Sequence, residues 1–261
     1  MLGAILPLLR DANLGAAPLA MTAEEACARL ERGVPLLRDL ELGVDEGLAH
    51  NLLVELARAR EAASPSEPAR RLRAAIERGD PGIGELLTHA AVGDRERIAA
   101  AARRRDLDPD LLWALAQAVL EPAFRAWRRT LERLSAGIPW QRDYCFVCGT
   151  PAVFGELRED GSRHLRCLRC GAGWRVRRLH CPACGNEDHA TLCTLYEEGR
   201  RGTRRVEACE RCRRYVKLIA AAAPTPAEML AVEHLATRHL DAVARERGFG
   251  HQALATPPPL A

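Results

Sequence analysis

Through the first 135 residues, apolar positions recur at intervals of three and four, the spacing that places side chains on one face of a helix. Thr22 stands three residues before Glu25, the pattern of a capping box, and predicts a short helix over 26–30. Cys27 falls inside it and reads as a packed small side chain. Asp45 caps a second helix reaching about residue 62, with Leu48, Leu52, Leu53 and Leu56 on one face. After a break at 64–68, helical pieces follow near 69–78, 83–91 and 94–105. Asp108-Pro109 supplies an N-cap and a first-turn proline for the strongly apolar stretch 111–120. Pro122 kinks or restarts the path, and Phe124, Trp127, Leu131 and Leu134 continue at helical spacing as a core stripe. Nothing in this region resembles a catalytic constellation.

The pattern changes at Tyr144. From there to about Ile219 the chain reads as cysteine knuckles, short strands and turns. Residues 153–157 and 163–165 flank Glu159-Asp160-Gly161-Ser162, a strong hairpin signal. A second strand–turn–strand pattern covers 191–196, the turn 198–202, and 203–208. Beyond a linker at 220–224, Thr225, Pro226 and Glu228 open a helix expected to run to about Arg247, with Gly248 as its stop. The end, 256–261, is proline-rich and reads as loose.

The short strands are framed by cysteines. Four Cys-x-x-Cys pairs fall within residues 145–212, taking eight of the ten cysteines of the chain. Two cysteines three apart on a tight turn present both sulfurs on one side, with the turn's amides pointing at them. Gly149, Gly171 and Gly185 follow the first three pairs, where such a turn often needs a positive φ; Arg213 holds that place in the fourth. Two facing knuckles make a tetrahedral four-sulfur metal site. Because a hairpin brings its own ends together, Cys145 and Cys148 are expected to meet Cys167 and Cys170, and Cys181 and Cys184 to meet Cys209 and Cys212. A crossed pairing fits the hairpins worse. His180, His164 and His189 read as surface or supporting residues, since four thiolates already fill the shell. Cys193 reads as a small strand side chain, with a reactive thiol as the alternative.

Composition and charge sharpen this picture. The chain has 261 residues, 48% of them hydrophobic and only 4% aromatic, which favours helices. Residues 1–140 carry 19 Arg against 21 Asp/Glu, whereas residues 141–220 carry 16 Arg/Lys against 10 Asp/Glu. A divalent ion in four thiolates has a net charge of about −2, so the basic excess partly offsets thiolate charge. Lys217 is the one lysine. The longest apolar run, 111–120, is far short of a membrane span, and no basic region precedes the apolar residues 1–9. A cytoplasmic location is expected, where Cys-x-x-Cys pairs bind metal or are redox-active rather than forming structural disulfides.

Taken together, the segments 144–153 and 165–176 (with Trp174 four residues after Cys170), Cys181-Pro-Ala-Cys-Gly-Asn, and 206–217 with Tyr215 and Lys217 resemble the formate dehydrogenase accessory protein family, FdhE. The tail with Asp241, Gly248 and Phe249 extends the resemblance, which covers roughly 140–250. Phe146, Arg213 and the alanines of the 220–223 linker depart from the family pattern. The resemblance implies an α+β fold: an N-terminal all-helical domain over 1–139, two tandem rubredoxin-like (zinc-ribbon-like) modules over 140–178 and 179–220, and a C-terminal helix and tail over 221–261. It also implies a non-enzymatic maturation factor that binds the catalytic subunit of formate dehydrogenase, carrying two metal ions, with iron favoured over zinc. Trp174, Arg175, Arg177 and Arg178, lying between the two cysteine blocks, are the expected partner-binding cluster; the plainer reading is that Trp174 packs the modules and the arginines are solvated. A zinc-ribbon nucleic-acid-binding protein is the alternative function, disfavoured because the hairpins lack interleaved aromatics to stack bases. A thiol–disulfide enzyme would need a lone Cys-x-x-Cys at a helix start.

Overall fold

A computed structural model of the chain describes residues 2–196 and 203–250. The predicted turn at 198–202 and the proline-rich end at 256–261 lie outside the described residues. The chain forms two compact units, one of residues 1–20 and 39–127, the other of residues 21–38 and 128–261.

The first unit is helical. It contains α1 (Leu2–Asp11), α3 (Glu46–Ala63), α4 (Glu67–Glu77), α5 (Ile83–Val92), α6 (Arg95–Arg103) and most of α7 (Pro109–Leu134). Asp45 caps α3 by accepting from Leu48 N, and Asp108 accepts from the amides of Asp110 and Leu111 at the start of α7. Leu52, Leu53 and Leu56 are buried, but Leu48 is 45% exposed, so the expected stripe is one residue shorter. Pro122 sits within α7 without ending it. Phe124 and Trp127 pack edge to face, and Trp127 Nε1 donates to Ala17 O at 3.0 Å.

The second unit begins with α2 (Ala23–Glu31), whose capping box is formed: Glu25 N donates to Thr22 Oγ1 and Thr22 N to Glu25 Oε2. The loop after α2 lies on the first cysteine turn. Leu36 N and Leu37 N donate to the carbonyls of Phe146 and Val147 at 2.8 Å each, and Tyr144 OH donates to Gly33 O at 2.8 Å. The same unit contains one six-stranded sheet, ordered β3-β2-β1-β6-β5-β4. Its strands are β1 (Phe154–Leu157), β2 (Arg163–Arg166), β3 (Gly173–Val176), β4 (Leu192–Leu195), β5 (Arg204–Cys209) and β6 (Tyr215–Ala220). β1–β2 and β4–β5 are the two predicted hairpins. β3 and β6 extend each by one strand, and β1 and β6 pair in parallel, Phe154 opposite Lys217, to join both cysteine blocks into one sheet. Gly155 permits this junction: a Cβ there would meet His164 O at 2.6 Å and Leu218 Cδ2 at 2.7 Å.

The C-terminal segment differs from the single helix expected. It is a 3₁₀ turn at Ala227–Met229, then α8 (Leu230–Ala236) and α9 (Arg238–Glu246), parted at Thr237. Lys217 gives the reason. Its side chain is fully buried, and its Nζ donates to His234 O at 3.0 Å, Thr237 O at 3.5 Å and Asp241 Oδ2 at 2.8 Å. An ammonium reaching into the helix ladder at these carbonyls breaks its continuity. Tyr215 OH adds a hydrogen bond to Asp241 Oδ1 at 2.9 Å. A second anchor is the fully buried Glu156, which accepts from Arg166 at 2.7 Å, from Arg158 and from Thr225 N at 2.9 Å.

Burial pushes the Lys217 pKa down, and the Asp241 carboxylate only partly restores it. The stability gained from that shift is complete only above the lysine's unfolded pKa and is lost as pH falls through the folded one, so at neutral pH the buried charge depends on its partner. Asp241→Ala should therefore destabilise the protein by about 3 kcal/mol, and adding Lys217→Met should recover part of the loss. Urea unfolding of the two variants and the double variant checks this; a loss under about 1 kcal/mol for Asp241→Ala would contradict it.

Candidate metal centres

Each Cys-x-x-Cys pair folds into the same local structure. The first cysteine's amide donates to the carbonyl five residues on: Cys145 to Thr150, Cys167 to Ala172, Cys181 to Asn186 and Cys209 to Arg214, at 2.8 to 2.9 Å. The amide four residues on returns to the first cysteine's carbonyl, from Gly149, Gly171, Gly185 and Arg213. These four residues have φ of 75°, 78°, 72° and 58°, the left-handed region. Glycine adopts it freely, whereas Arg213 does so at a cost of roughly 1–2 kcal/mol. Its contacts offset that cost. The guanidinium lies 4.1 Å from the centre of the Phe249 ring and donates to the carbonyls of Arg247 and Gly248.

The hairpins bring the knuckles together in sequential pairs. Cys145, Cys148, Cys167 and Cys170 form one cluster, and Cys181, Cys184, Cys209 and Cys212 another, with all sulfurs of a cluster within 4.8 Å of one another. Measured Sγ–Sγ distances are 3.5 Å for Cys145–Cys170 and Cys148–Cys167, 3.7 Å for Cys148–Cys170 and Cys181–Cys212, and 3.8 Å for Cys184–Cys209. A tetrahedral site with metal–sulfur bonds of ~2.3 Å has sulfur–sulfur edges of about 3.8 Å. A disulfide would need about 2.05 Å. The clusters have the dimensions of metal cages, and the donor set fits zinc or iron alike.

The surroundings bring hydrogen-bond donors and positive charge to the sulfurs, against the opposing effect of burial. Val147 N lies 3.3 Å from Cys145 Sγ, Cys170 N lies 3.5 Å from Cys167 Sγ, and Asn186 Nδ2 donates to Cys209 Sγ at 3.5 Å. Burial raises the Cys145, Cys170 and Cys181 thiols. Burial also works against ionisation of Cys148 and Cys209, but there hydrogen bonds to the sulfur prevail. Cys148 falls well below the usual thiol range, with Arg169 helping, and Cys209 falls to about 7. Arg169 faces the first cluster, and the buried Arg163 faces Cys181 while its Nη1 donates to His180 O at 2.9 Å. The basic residues of this segment thus include direct counter-charges to sulfur. Asn186, buried beside Cys209 and also bonded to Thr191 Oγ1 at 2.7 Å, escaped notice in the sequence, where its place just after Cys184-Gly185 was the available signal.

The residues between the two blocks divide. Trp174 is buried in β3, edge-on to Phe146 at 6.3 Å, with Nε1 donating to Arg142 O at 3.0 Å. Arg175, Arg177 and Arg178 are exposed, and Arg177 pairs with Glu187 at 2.6 Å. Cys193 is half-buried in β4, and His164 Nε2 lies 3.1 Å from Ser162 Oγ. Among the described residues, no helix is long and apolar enough to cross a membrane.

Residues 179–256 match the family described as FdhE, C-terminal domain. The chain is 30% identical over 174 residues to the protein FdhE homolog of Pseudomonas aeruginosa, an alignment covering 63% of this chain and 56% of that one. It is 30% identical over 117 residues to the FdhE homolog of Aquifex aeolicus (42% and 40% covered) and 29% identical over 117 residues to protein FdhE of Escherichia coli (44% and 37%). The chain thus spans about half the length of these relatives, or less. The crystal structure of the FdhE protein from Pseudomonas aeruginosa superposes with a TM-score of 0.63 at 24% identity, over 99% of this chain and 85% of that one, so the fold is shared.

The fourth knuckle offers a direct energetic test. Arg213→Ala keeps the left-handed strain and loses the Phe249 contact, whereas Arg213→Gly loses the contact and relieves the strain. We expect losses of about 2 and about 1 kcal/mol, measured by denaturant unfolding of metal-loaded protein. Arg213→Ala as stable as Arg213→Gly would show that the turn does not impose a positive φ.

Proposed function

We propose that the chain is a member of the FdhE family, whose C-terminal-domain model matches residues 179–256, and that it is an accessory factor in the production of active formate dehydrogenase rather than an enzyme itself. The observation that carries the reading is the pair of four-sulfur cages, each closed by its own hairpin and both held in one sheet. In this reading Cys145, Cys148, Cys167 and Cys170 hold one metal ion, and Cys181, Cys184, Cys209 and Cys212 a second. Iron is the favoured ion on the strength of the family resemblance, and four-thiolate iron can change oxidation state where zinc does not. Zinc binds such sites more tightly than ferrous iron, so an iron-loaded protein depends on supply or assembly. The working division of the chain is a helical domain at 1–139, metal modules at 140–178 and 179–220, and a C-terminal segment at 221–261. The protein acts in the cytoplasm.

The partner is the catalytic subunit of a formate dehydrogenase, and the connector between the cages is its docking surface. Arg175, Arg177 and Arg178 support this assignment by their exposure, and Trp174 by fixing β3 beneath them. Exposed guanidiniums on and just after β3 can pair bidentately with carboxylates. The nucleic-acid alternative draws no aromatic stacking platform from this surface, since Trp174 is buried.

Replacing Arg175, Arg177 and Arg178 together by Ala should leave the fold intact. Capture of the catalytic subunit should fall by about tenfold or more, along with the yield of active formate dehydrogenase in the host. Unchanged capture by the folded triple variant would remove this surface from the account. Salt-sensitive retention on single-stranded nucleic acid, abolished in the same variant, would instead favour the alternative.

A further inference from the structure

The two cages differ in how they are covered. In the first, Cys145, Cys167 and Cys170 have no exposed surface and Cys148 is half-buried. Both of its knuckles are capped by other parts of the fold. The loop after α2 donates Leu36 N and Leu37 N to the first, over Phe146 and the fully buried Val147. Ala227 presses on the second so closely that a Cβ on Gly171 would lie 2.4 Å from its Cβ.

The second cage has no such cover on its leading knuckle. Cys184 and Gly185 are exposed, and a Cβ added at Gly185 would meet nothing within 4 Å. Leu179, just ahead of this knuckle, is 61% exposed. Cys212 is half-buried. A cavity of about 250 Å³ borders Cys181 and Cys209 and is lined by Arg163, His180 and the free thiol of Cys193. An incoming donor can thus approach from solvent at Cys184 or through the cavity, whereas the one ligand of the first cage with any exposed surface, Cys148, is half-buried.

We infer that the two centres have separate tasks: the first is a fixed structural site, and the second is an exchange site that gives or takes its metal from a thiolate-bearing donor or acceptor. The inference rests on the reading that both clusters hold metal. The step it needs is ligand substitution. An incoming thiolate forms one metal–sulfur bond as the bond to Cys184 Sγ breaks, and Cys184 leaves into water as a thiolate. One thiolate replaces another, so charge is conserved and no oxidation state changes. Access contributes to thiol reactivity, and the second cage presents the exposed ligand Cys184 where the first has at most the half-buried Cys148.

The test uses the full chain loaded with zinc, the chromogenic chelator 4-(2-pyridylazo)resorcinol, and iodoacetamide to trap freed thiols for mass spectrometry. We expect two release phases of one metal each, separated by at least about tenfold in rate. Cys181, Cys184, Cys209 and Cys212 should be alkylated in the fast phase, while Cys145, Cys148, Cys167 and Cys170 stay protected until the slow one. Cys184→Ser should bind the slow metal alone or release its second metal faster still. Loss of both metals in a single phase, or alkylation of the first cage before the second, would overturn the inference while leaving the metal reading intact. A freshly folded chain that takes up no zinc would overturn both.

Discussion

Eight sulfur atoms gathered into two groups, each within 4.8 Å and with the shortest pairs at 3.5 Å, place a demand that the rest of the second unit answers. Two bare thiolates at the shortest of these distances would repel by roughly 5 kcal/mol even at an effective dielectric constant of 20. A cation at the centre of each group turns this repulsion into the main source of cohesion. For modules whose strands are four to six residues long, metal-binding energy is then folding energy. The amides of the knuckle turns, Asn186, Arg163 and Arg169 face the sulfurs and would share the remaining negative charge.

The second theme is how two such modules become one body. Parallel pairing of β1 with β6 makes a continuous sheet out of two hairpins, and the C-terminal segment is tied across it at three points. Glu156 and Arg166 grip Thr225, Lys217 and Tyr215 grip Asp241, and Arg213 covers Phe249. The ties use strands and knuckles of both blocks. Lys217 is the sharpest case, a fully buried ammonium whose carbonyl partners come from a helix it interrupts. A compact ammonium on a slender stem meets two carbonyls and a carboxylate there.

Local chemistry was legible in the sequence, and long-range pairing was not. The Thr22 capping box, the Asp45 and Asp108 caps, the two hairpins and the sequential grouping of the eight cysteines could all be read from residues close to one another along the chain. The break at Thr237 could not, because its cause, Lys217, lies twenty positions away on another element. The same holds for β3 and β6: four residues such as 173–176 alternate in burial only once a neighbouring strand exists to pair with. Trp174 could be read either as packing or as an anchor, and burial against Phe146 makes it a support for the exposed arginines beside it. The difference in cover between the cages was invisible in motifs that are nearly identical, because it comes from the loop after α2 and from Ala227, neither of which is near the eight paired cysteines in sequence.

The account stands on two metal ions held in sequentially paired, all-sulfur cages. X-ray absorption at the metal edge, combined with elemental analysis of the full chain isolated without oxygen, tests this most directly. Two metals per chain, each with four sulfur neighbours near ~2.3 Å and no nitrogen or oxygen in the first shell, is the predicted result. One metal per chain, or a shell containing nitrogen or oxygen at both centres, would contradict it.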